Sequence, residues 1–286
     1  MKVLITGLSG YLGHYLYYYR PKNVQIIGTY CRNSDDFEAQ KMIRLDLESV
    51  DVFTKLSGRY DLVIHTAANA SLGDCERNEH RAYRVNSEAT EKLARWSQYQ
   101  GSRFIYLSTD IVFKGDQGNY TENDQPNPVN IYGLSKLEGE RAVSAYHTNY
   151  TICRLSLVLG KAKGSRKNFI DHFIQNLHEG NEIPLFVDEW RTPITPRYAA
   201  HAIWEIALSK YTGIIHLCGA ERINRYQLGM KITAYLNYPT DRLQKACSSQ
   251  TTAYPRPLDV SLRSLFVNKI LTLRQQNISD TIGELI

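Results

Sequence analysis

Cysteine is scarce and unpaired in this 286-residue chain: Cys31, Cys75, Cys153, Cys218 and Cys247 are odd in number and form no C-x-x-C pair. That excludes a zinc ribbon and gives no disulfide framework, so reduced thiols are expected. No run of about 18 apolar residues is present, and Met1-Lys2 leads straight into a strand-like segment rather than a signal peptide. The expectation is a cytoplasmic protein with no membrane partner. The eight histidines contain no H-E-x-x-H, and neither a G-x-S-x-G elbow nor a G-x-x-x-x-G-K-[ST] loop occurs. No metal site is expected, and zincin, α/β-hydrolase and P-loop chemistries lack their residues. Charge of one sign is also in short supply, at net +5 from 34 Lys and Arg against 29 Asp and Glu. The densest basic stretch, Lys161 to Lys167, reads as a solvated or phosphate-contacting loop, and no aromatic stripe alternates with it. That excludes nucleic acid as the expected partner. No fixed-period repeat or low-complexity segment appears.

What is present is an alternation of short apolar runs with helical patterns, the signature of crossover units on a parallel sheet. Strands are expected at Lys2 to Thr6, Gln25 to Thr29, Leu62 to Thr66, Arg103 to Ser108 and Thr151 to Leu155. Between them, Tyr11 to Tyr19, Ser87 to Tyr99 and Ser135 to Tyr146 have helical spacing. Past residue 156 the pattern loosens, with helices expected at Asn168 to His178, Tyr198 to Ser209 and Arg225 to Leu236, and a strand at Gly213 to Cys218. The stretch near Thr240 to Pro257, with Pro255, Pro257 and the preceding Pro239, reads as a loop.

Directly after the first strand, TGLSGYLG places Gly7, Gly10 and Gly13 where strand turns into helix. Such a turn meets three needs of a bound pyrophosphate: a tight reversal, close backbone approach, and a helix N-terminus with unpaired N–H groups. The fold class this supports is α/β, a Rossmann-type doubly wound parallel sheet with a smaller, discontinuous C-terminal substrate lobe. Residues 1–156 would form the dinucleotide-binding core, with 196–220 re-entering it. Residues 157–195 and 221–286 would form the lobe.

The spacing G-x-x-G-x-x-G resembles the extended members of the short-chain dehydrogenase/reductase superfamily. The resemblance implies that Gly7, Ser9, Gly10, Tyr11, Leu12 and Gly13 hold the dinucleotide, that Asp46 and Leu47 contact adenine, and that Ala67 and Ala68 line the cofactor after Thr66. At the end of the second strand, where an NAD-specific enzyme places a carboxylate, Tyr30-Cys31-Arg32 stands instead. A guanidinium suits a 2′-phosphate and a carboxylate repels it, which favours NADP(H) over NAD(H) and assigns Arg32 to the cofactor.

Tyr132 and Lys136 stand four apart in PVNIYGLSK, so a helix brings them to one side. A phenol with an ordinary pKa near 10 needs about 4 kcal/mol of phenolate stabilisation to work near neutrality. A neighbouring ammonium can supply much of this; Lys136 can also hold the cofactor ribose. The third partner is a hydroxyl at a strand end, aimed at a substrate carbonyl. Ser108 and Thr109 are both available, and the family pattern favours Thr109.

STDIVFKG, Pro128 to Lys136, Arg154, DEWRTPI at Asp188 to Ile194 and PRPLDVSL at Pro255 to Leu262 together resemble the dTDP-4-dehydrorhamnose reductase branch. The implied reaction is hydride transfer to C4 of a nucleotide-linked 4-keto-6-deoxy sugar, with Thr109, Tyr132 and Lys136 catalytic. Asp110 and Arg191 are assigned to the substrate, Arg191 with a competing structural pairing to Asp188 or Glu189. Members of the family are often dimers, which extends to this chain as a homodimer. Ile111 and Leu157 depart from the branch, which has Tyr and Trp there, side chains suited to a sugar. Two alternatives therefore stand: a nucleotide-sugar epimerase, and a non-catalytic NADP-binding subunit like the regulatory subunit of methionine adenosyltransferase. A dehydratase would need a second acid after Asp110, where Ile111 stands.

Overall fold

Strands form where short runs are apolar on both faces. In Lys2–Thr6 (β1) every residue from Val3 onward is buried, with Val3 and Ile5 facing one core cluster and Leu4 the other. A strand covered by helices on both sides requires that pattern. The computed structural model describes residues 1–32, 42–49, 53, 55–162, 168–251 and 253–286.

Gln25–Tyr30 (β2), Met42–Arg44 (β3), Leu62–His65 (β4), Arg103–Thr109 (β5) and Tyr150–Leu155 (β6) follow. Next come Ile183–Phe186 (β7), Trp190–Arg191 (β8), Gly213–Leu217 (β9), Ile223–Asn224 (β10) and Leu243–Ala246 (β11). Seven of them form one sheet in the order β3-β2-β1-β4-β5-β6-β9, with every pair parallel. The chain winds outward from β1 to one side and then returns to the other, so the carboxyl ends of β1 and β4 open the crevice at which such sheets bind ligands. The expected Rossmann-type doubly wound sheet is therefore what forms.

One face is covered by Tyr11–Tyr18 (α1) and later by the long helix Pro196–Leu208, through Leu16, Tyr198, Ile203 and Trp204. The other face is reached through Leu72–Arg77 (α2) and Glu79–Tyr83 (α3), and is covered by Ala89–Gln100 (α4) and Ile131–Tyr146 (α5), which supply Leu93 and Val143. Phe169–Glu179 (α6), the helix Pro196–Leu208 (α7) and Arg225–Tyr235 (α8) complete the main helices. A separate, smaller core gathers Phe173, Leu185, Leu228, Ile232 and Leu243 from α6, α8, β7 and β11. Among the described residues no helix is long and apolar enough to cross a membrane.

Two expectations about local structure are corrected. The stretch Thr240 to Pro257 is not all loop: Leu243–Ala246 is a strand paired in parallel with β7. Only Leu243 of its four residues is buried, so this edge strand has no apolar run to reveal it. The helix expected from Ser87 is entered earlier, through α3 and a wide π-type turn at Arg84–Glu88. Such a turn breaks the 3.6-residue period on which a helix is recognised, and it is frequent at functional sites. Of the basic stretch Lys161 to Lys167, residues 163–167 lie outside the described residues.

Candidate active site

The turn after β1 is built so that backbone, not side chains, faces the crevice. Gly7 has φ +69°, and a Cβ on it would lie 2.9 Å from Ala67 Cα, so only glycine lets the β1 and β4 ends approach this closely. Gly10 caps α1 and has no side chain to bond the first-turn N–H groups, which leaves that turn free for an anion. Ser9 is half-buried beside it. Tyr11 and Leu12 turn their side chains onto the core cluster, and Tyr11 donates its hydroxyl to the Gly160 carbonyl at 3.0 Å. What these two residues can offer a cofactor is their backbone.

The other residues expected at the dinucleotide follow β2, β3 and β4. Arg32 is exposed just beyond β2. Asp46 is exposed, its carboxylate accepting from Glu48 N–H at 3.0 Å, and Leu47 packs on the second core cluster. Ala67 lies against Gly7, and Ala68 is exposed next to it.

At the end of β5, Thr109 is buried and caps the turn Asp110–Val112 by accepting from Ile111 N–H at 3.2 Å. That turn meets the start of α5 closely: a Cβ on Gly133 would lie 2.4 Å from the Ile111 carbonyl oxygen. Asn130 caps α5 by accepting from Gly133 N–H at 2.8 Å. The close approach and the cap carry Tyr132 toward Thr109, whose hydroxyl donates to the Asp110 carboxylate at 3.1 Å. Burial raises the phenol above its ordinary value; the nearby Thr109 hydroxyl works against that rise, and Asp110 and Cys75 add to it.

Lys136 is buried one turn along α5 from Tyr132. Its ammonium donates to the Leu107 carbonyl at 2.7 Å and lies 4.0 Å above the Tyr106 ring. Burial pulls it down to about 7, against the favourable charge of Glu140. The lysine is anchored under the end of β5 by that Leu107 bond.

A polar layer beneath these residues was not legible in the sequence. His65 is buried between Thr6 (2.6 Å) and Thr90 (3.0 Å) and stacks on Tyr106. Asn86, inside the π-type turn, accepts from Asn69 N–H at 2.8 Å and donates to the Asn69 carbonyl and to Ser135 Oγ, each at 3.0 Å. It thereby ties the loop after β4 to α5. The only signal was an asparagine on the buried side of a helical run.

Of the two residues expected at the substrate, Arg191 reaches Asp110, with Nε 3.6 Å from the carboxylate, rather than Asp188 or Glu189. Both are buried, and Arg191 also donates to the carbonyls of Trp190, Leu258 and Pro257. Asp188 instead accepts from Ser248, and Glu189 pairs with Arg256. Burial raises the Asp110 carboxyl, and Arg191, Thr109 and Ser156 oppose the rise. A cleft of ≈ 590 Å³ opens alongside, walled by Lys114, Val129, Tyr254, Arg256 and Leu258. Among the described residues no three His, Cys, Asp or Glu gather as metal ligands.

A sequence profile described as RmlD substrate binding domain matches residues 1–283. The chain belongs to that family. This RmlD-family chain is 31% identical over 239 residues to the probable low-salt glycan biosynthesis reductase Agl14 of Haloferax volcanii, covering 81% of this chain and 79% of the relative. It is 27% identical over 274 residues to methionine adenosyltransferase 2 subunit beta of Bos taurus, covering 91% and 80%. Among solved structures, the dTDP-4-dehydrorhamnose reductase of Bacillus anthracis in complex with NADP matches with TM-score 0.87 and 25% identity, over 99% of this chain and 98% of that one. The resemblance to the dTDP-4-dehydrorhamnose reductase branch of the extended short-chain superfamily is borne out.

Proposed function

We propose that this chain is an NADP(H)-dependent oxidoreductase that reduces the C4 ketone of a nucleotide-linked 4-keto-6-deoxy sugar. The observation that carries the reading is the close approach of the α5 start to the turn after β5, a Cβ on Gly133 lying 2.4 Å from the Ile111 carbonyl oxygen, which brings Tyr132 beside Thr109 on the sheet edge that also bears the Gly7 turn. The cofactor fits the residues present: a Cβ would fill the Gly7 cradle, and Gly10 leaves the α1 N-terminus without a side-chain cap. Gly7, Ser9, Gly10 and Gly13 with the backbone of Tyr11 and Leu12 would hold the pyrophosphate; Asp46, Leu47, Ala67 and Ala68 would line the adenosine side. Arg32 after β2 favours the 2′-phosphate of NADP(H), with NAD(H) as the weaker ligand.

When bound, the reduced nicotinamide supplies the hydride. Thr109 hydrogen-bonds the ketone oxygen and stabilises the charge that develops there. Tyr132, held protonated by burial, gives its proton to the same oxygen. Lys136 fixes the end of β5 through Leu107 and stands ready to meet the ribose. Residues 157–195 and 221–286 supply the substrate lobe, where the buried Asp110–Arg191 pair braces the cleft wall.

NADPH consumption with a dTDP-4-keto-6-deoxy sugar tests this directly. Tyr132→Phe should lower turnover by about 10²- to 10⁴-fold, the usual worth of a positioned proton donor, with NADPH affinity retained. Unchanged turnover in the variant would remove Tyr132 from the mechanism. The likeness to methionine adenosyltransferase 2 subunit beta over 91% of the chain, with Ile111 and Leu157 in place of aromatic residues, favours a second reading as a non-catalytic NADP-binding subunit. Tight NADPH binding without oxidation by any nucleotide 4-keto sugar would select it.

A further inference from the structure

Ser156 directly follows β6 and is 2% exposed, and the proposed reaction does not use it. Its hydroxyl donates to Asp110 Oδ2 at 3.4 Å, while Thr192 reaches the same hydroxyl twice, through its N–H at 3.3 Å and through its own hydroxyl at 3.4 Å. Thr192 in turn accepts from Leu262 N–H at 3.0 Å. On the other side of Asp110, Thr109 accepts from Ile111 N–H at 3.2 Å and donates to Oδ1 at 3.1 Å. Thr109, Asp110, Ser156 and Thr192 are all buried.

The ends of this chain fix the direction of every proton in it. A backbone N–H can only donate and a carboxylate can only accept, whereas a hydroxyl has one proton to give. Leu262 N–H occupies Thr192 Oγ1, so the Thr192 proton passes to Ser156; Thr192 then fills Ser156 Oγ from two sides, and the Ser156 proton goes to Asp110. Asp110 therefore receives on both oxygens, with Arg191 Nε 3.6 Å away. Bonds donated to the charged form favour it, and Thr109 and Ser156 both oppose the rise that burial causes at Asp110.

The consequence falls on Thr109, whose single proton has two claimants. Without substrate it goes to Asp110; in the reduction it must go to the ketone oxygen. A donor on Oδ2 makes the carboxylate less basic, so Oδ1 holds the Thr109 proton less firmly. Contacts of 3.3 and 3.4 Å are long for such bonds, as catalytic networks without substrate often are, and they leave room to tighten when Thr109 turns away.

We propose that Ser156 and Thr192 are positioning residues that hold Asp110 by Oδ2 and so release the Thr109 hydroxyl from Oδ1 to the substrate ketone. The kinetic consequence rests on the reductase reading; the state of Asp110 does not. Because Thr192 and Leu262 belong to the proposed substrate lobe, the chain also makes the setting of Thr109 depend on how that lobe is seated.

The test compares the full chain with Ser156→Ala, Ser156→Cys, Thr192→Val and Thr192→Ser. The Asp110 carboxyl is titrated by carbon-13 NMR in aspartate-labelled protein, its resonance assigned by its loss in Asp110→Asn, and reduction of a dTDP-4-keto-6-deoxy sugar is assayed in parallel. Arg191 from β8, Arg225 from α8 and Tyr132 from α5 are the ionisable groups in electrostatic reach of Asp110 among the described residues, and all four variants keep them. Ser156→Ala should raise the Asp110 midpoint by about one pH unit. It should lower kcat by about tenfold while KM changes by less than about twofold. Ser156→Cys, a weaker donor, should fall between. Thr192→Val, which nearly keeps the shape and also serves if the alanine variant fails to fold, should move both readouts the same way by less, and Thr192→Ser should restore them. An Asp110 midpoint unmoved in Ser156→Ala and Thr192→Val overturns the proposal, as does a moved midpoint with kcat unchanged in an active enzyme. Absent reduction by wild type with a moved midpoint retracts the reductase and keeps the chain of donors to Asp110; normal reduction with an unmoved midpoint does the reverse.

Discussion

The Glu140 carboxylate clasps the Arg154 guanidinium inside the core, through contacts of 2.7, 3.0 and 3.2 Å. Ser108 donates to the same carboxylate at 2.5 Å, so one buried ion pair joins β5, β6 and α5 directly behind Thr109. Glu140 also stands one helical turn beyond Lys136 and is the charge that favours its ammonium against burial. The pair therefore works as a strut for the candidate site.

Glu140→Gln leaves the Arg154 charge buried without its counterion, and the expected loss is about 3–5 kcal/mol in a urea denaturation. Adding Arg154→Met should recover part of that loss, because the orphaned charge is then removed too. A denaturation midpoint in Glu140→Gln equal to wild type would show that the strut contributes nothing.

Asn86 joins the loop after β4 to α5 through three hydrogen bonds. Asn86→Ala leaves the Asn69 groups unpaired and lets the Ala67 to Asn69 segment shift against the Gly7 turn, with an expected cost of about 1–3 kcal/mol. NADPH affinity should drop by about tenfold, close to 1.4 kcal/mol, while turnover at saturating NADPH changes much less. A cofactor affinity unmoved by the substitution would sever this loop from dinucleotide binding.

Three buried histidines are held neutral by burial: His65 is pulled down to about 3, and His147 and His216 to about 4. Their unfolded values lie near 6.5, so between there and about 4 the unfolded chain binds protons that the folded chain refuses. Stability must then fall as pH drops through that window, by up to about 1.4 kcal/mol per pH unit for each histidine. Denaturation free energies at several pH values check the slope. His147→Gln should flatten it by about one proton; a slope identical to wild type would mean that His147 titrates normally in the fold.

Legibility followed the length and apolarity of each segment. β1, β4 and β5 were readable because helices cover both their faces, so whole runs are apolar. β3 and β11, with three and four residues, carry too few buried side chains to show a period. Tyr132, Lys136 and Thr109 could be picked out as candidates because one helical turn and one strand end place them. The direction of the lysine could not be read, since it depends on where the Leu107 carbonyl lies. Asn86 gave no local signal, and it matters only through residues distant in the chain.

By itself the sequence determined the alternation of strands and helices, the glycine turn after β1 and the family, because each is written in near-neighbour spacing or in contiguous motifs. Tertiary structure alone decided that Arg191 faces Asp110 and that Arg256 takes Glu189. Those pairings are a competition among charges brought together by packing, and which carboxylate each guanidinium reaches is settled only when the β8–β10 bridge and the 255–258 segment close around them.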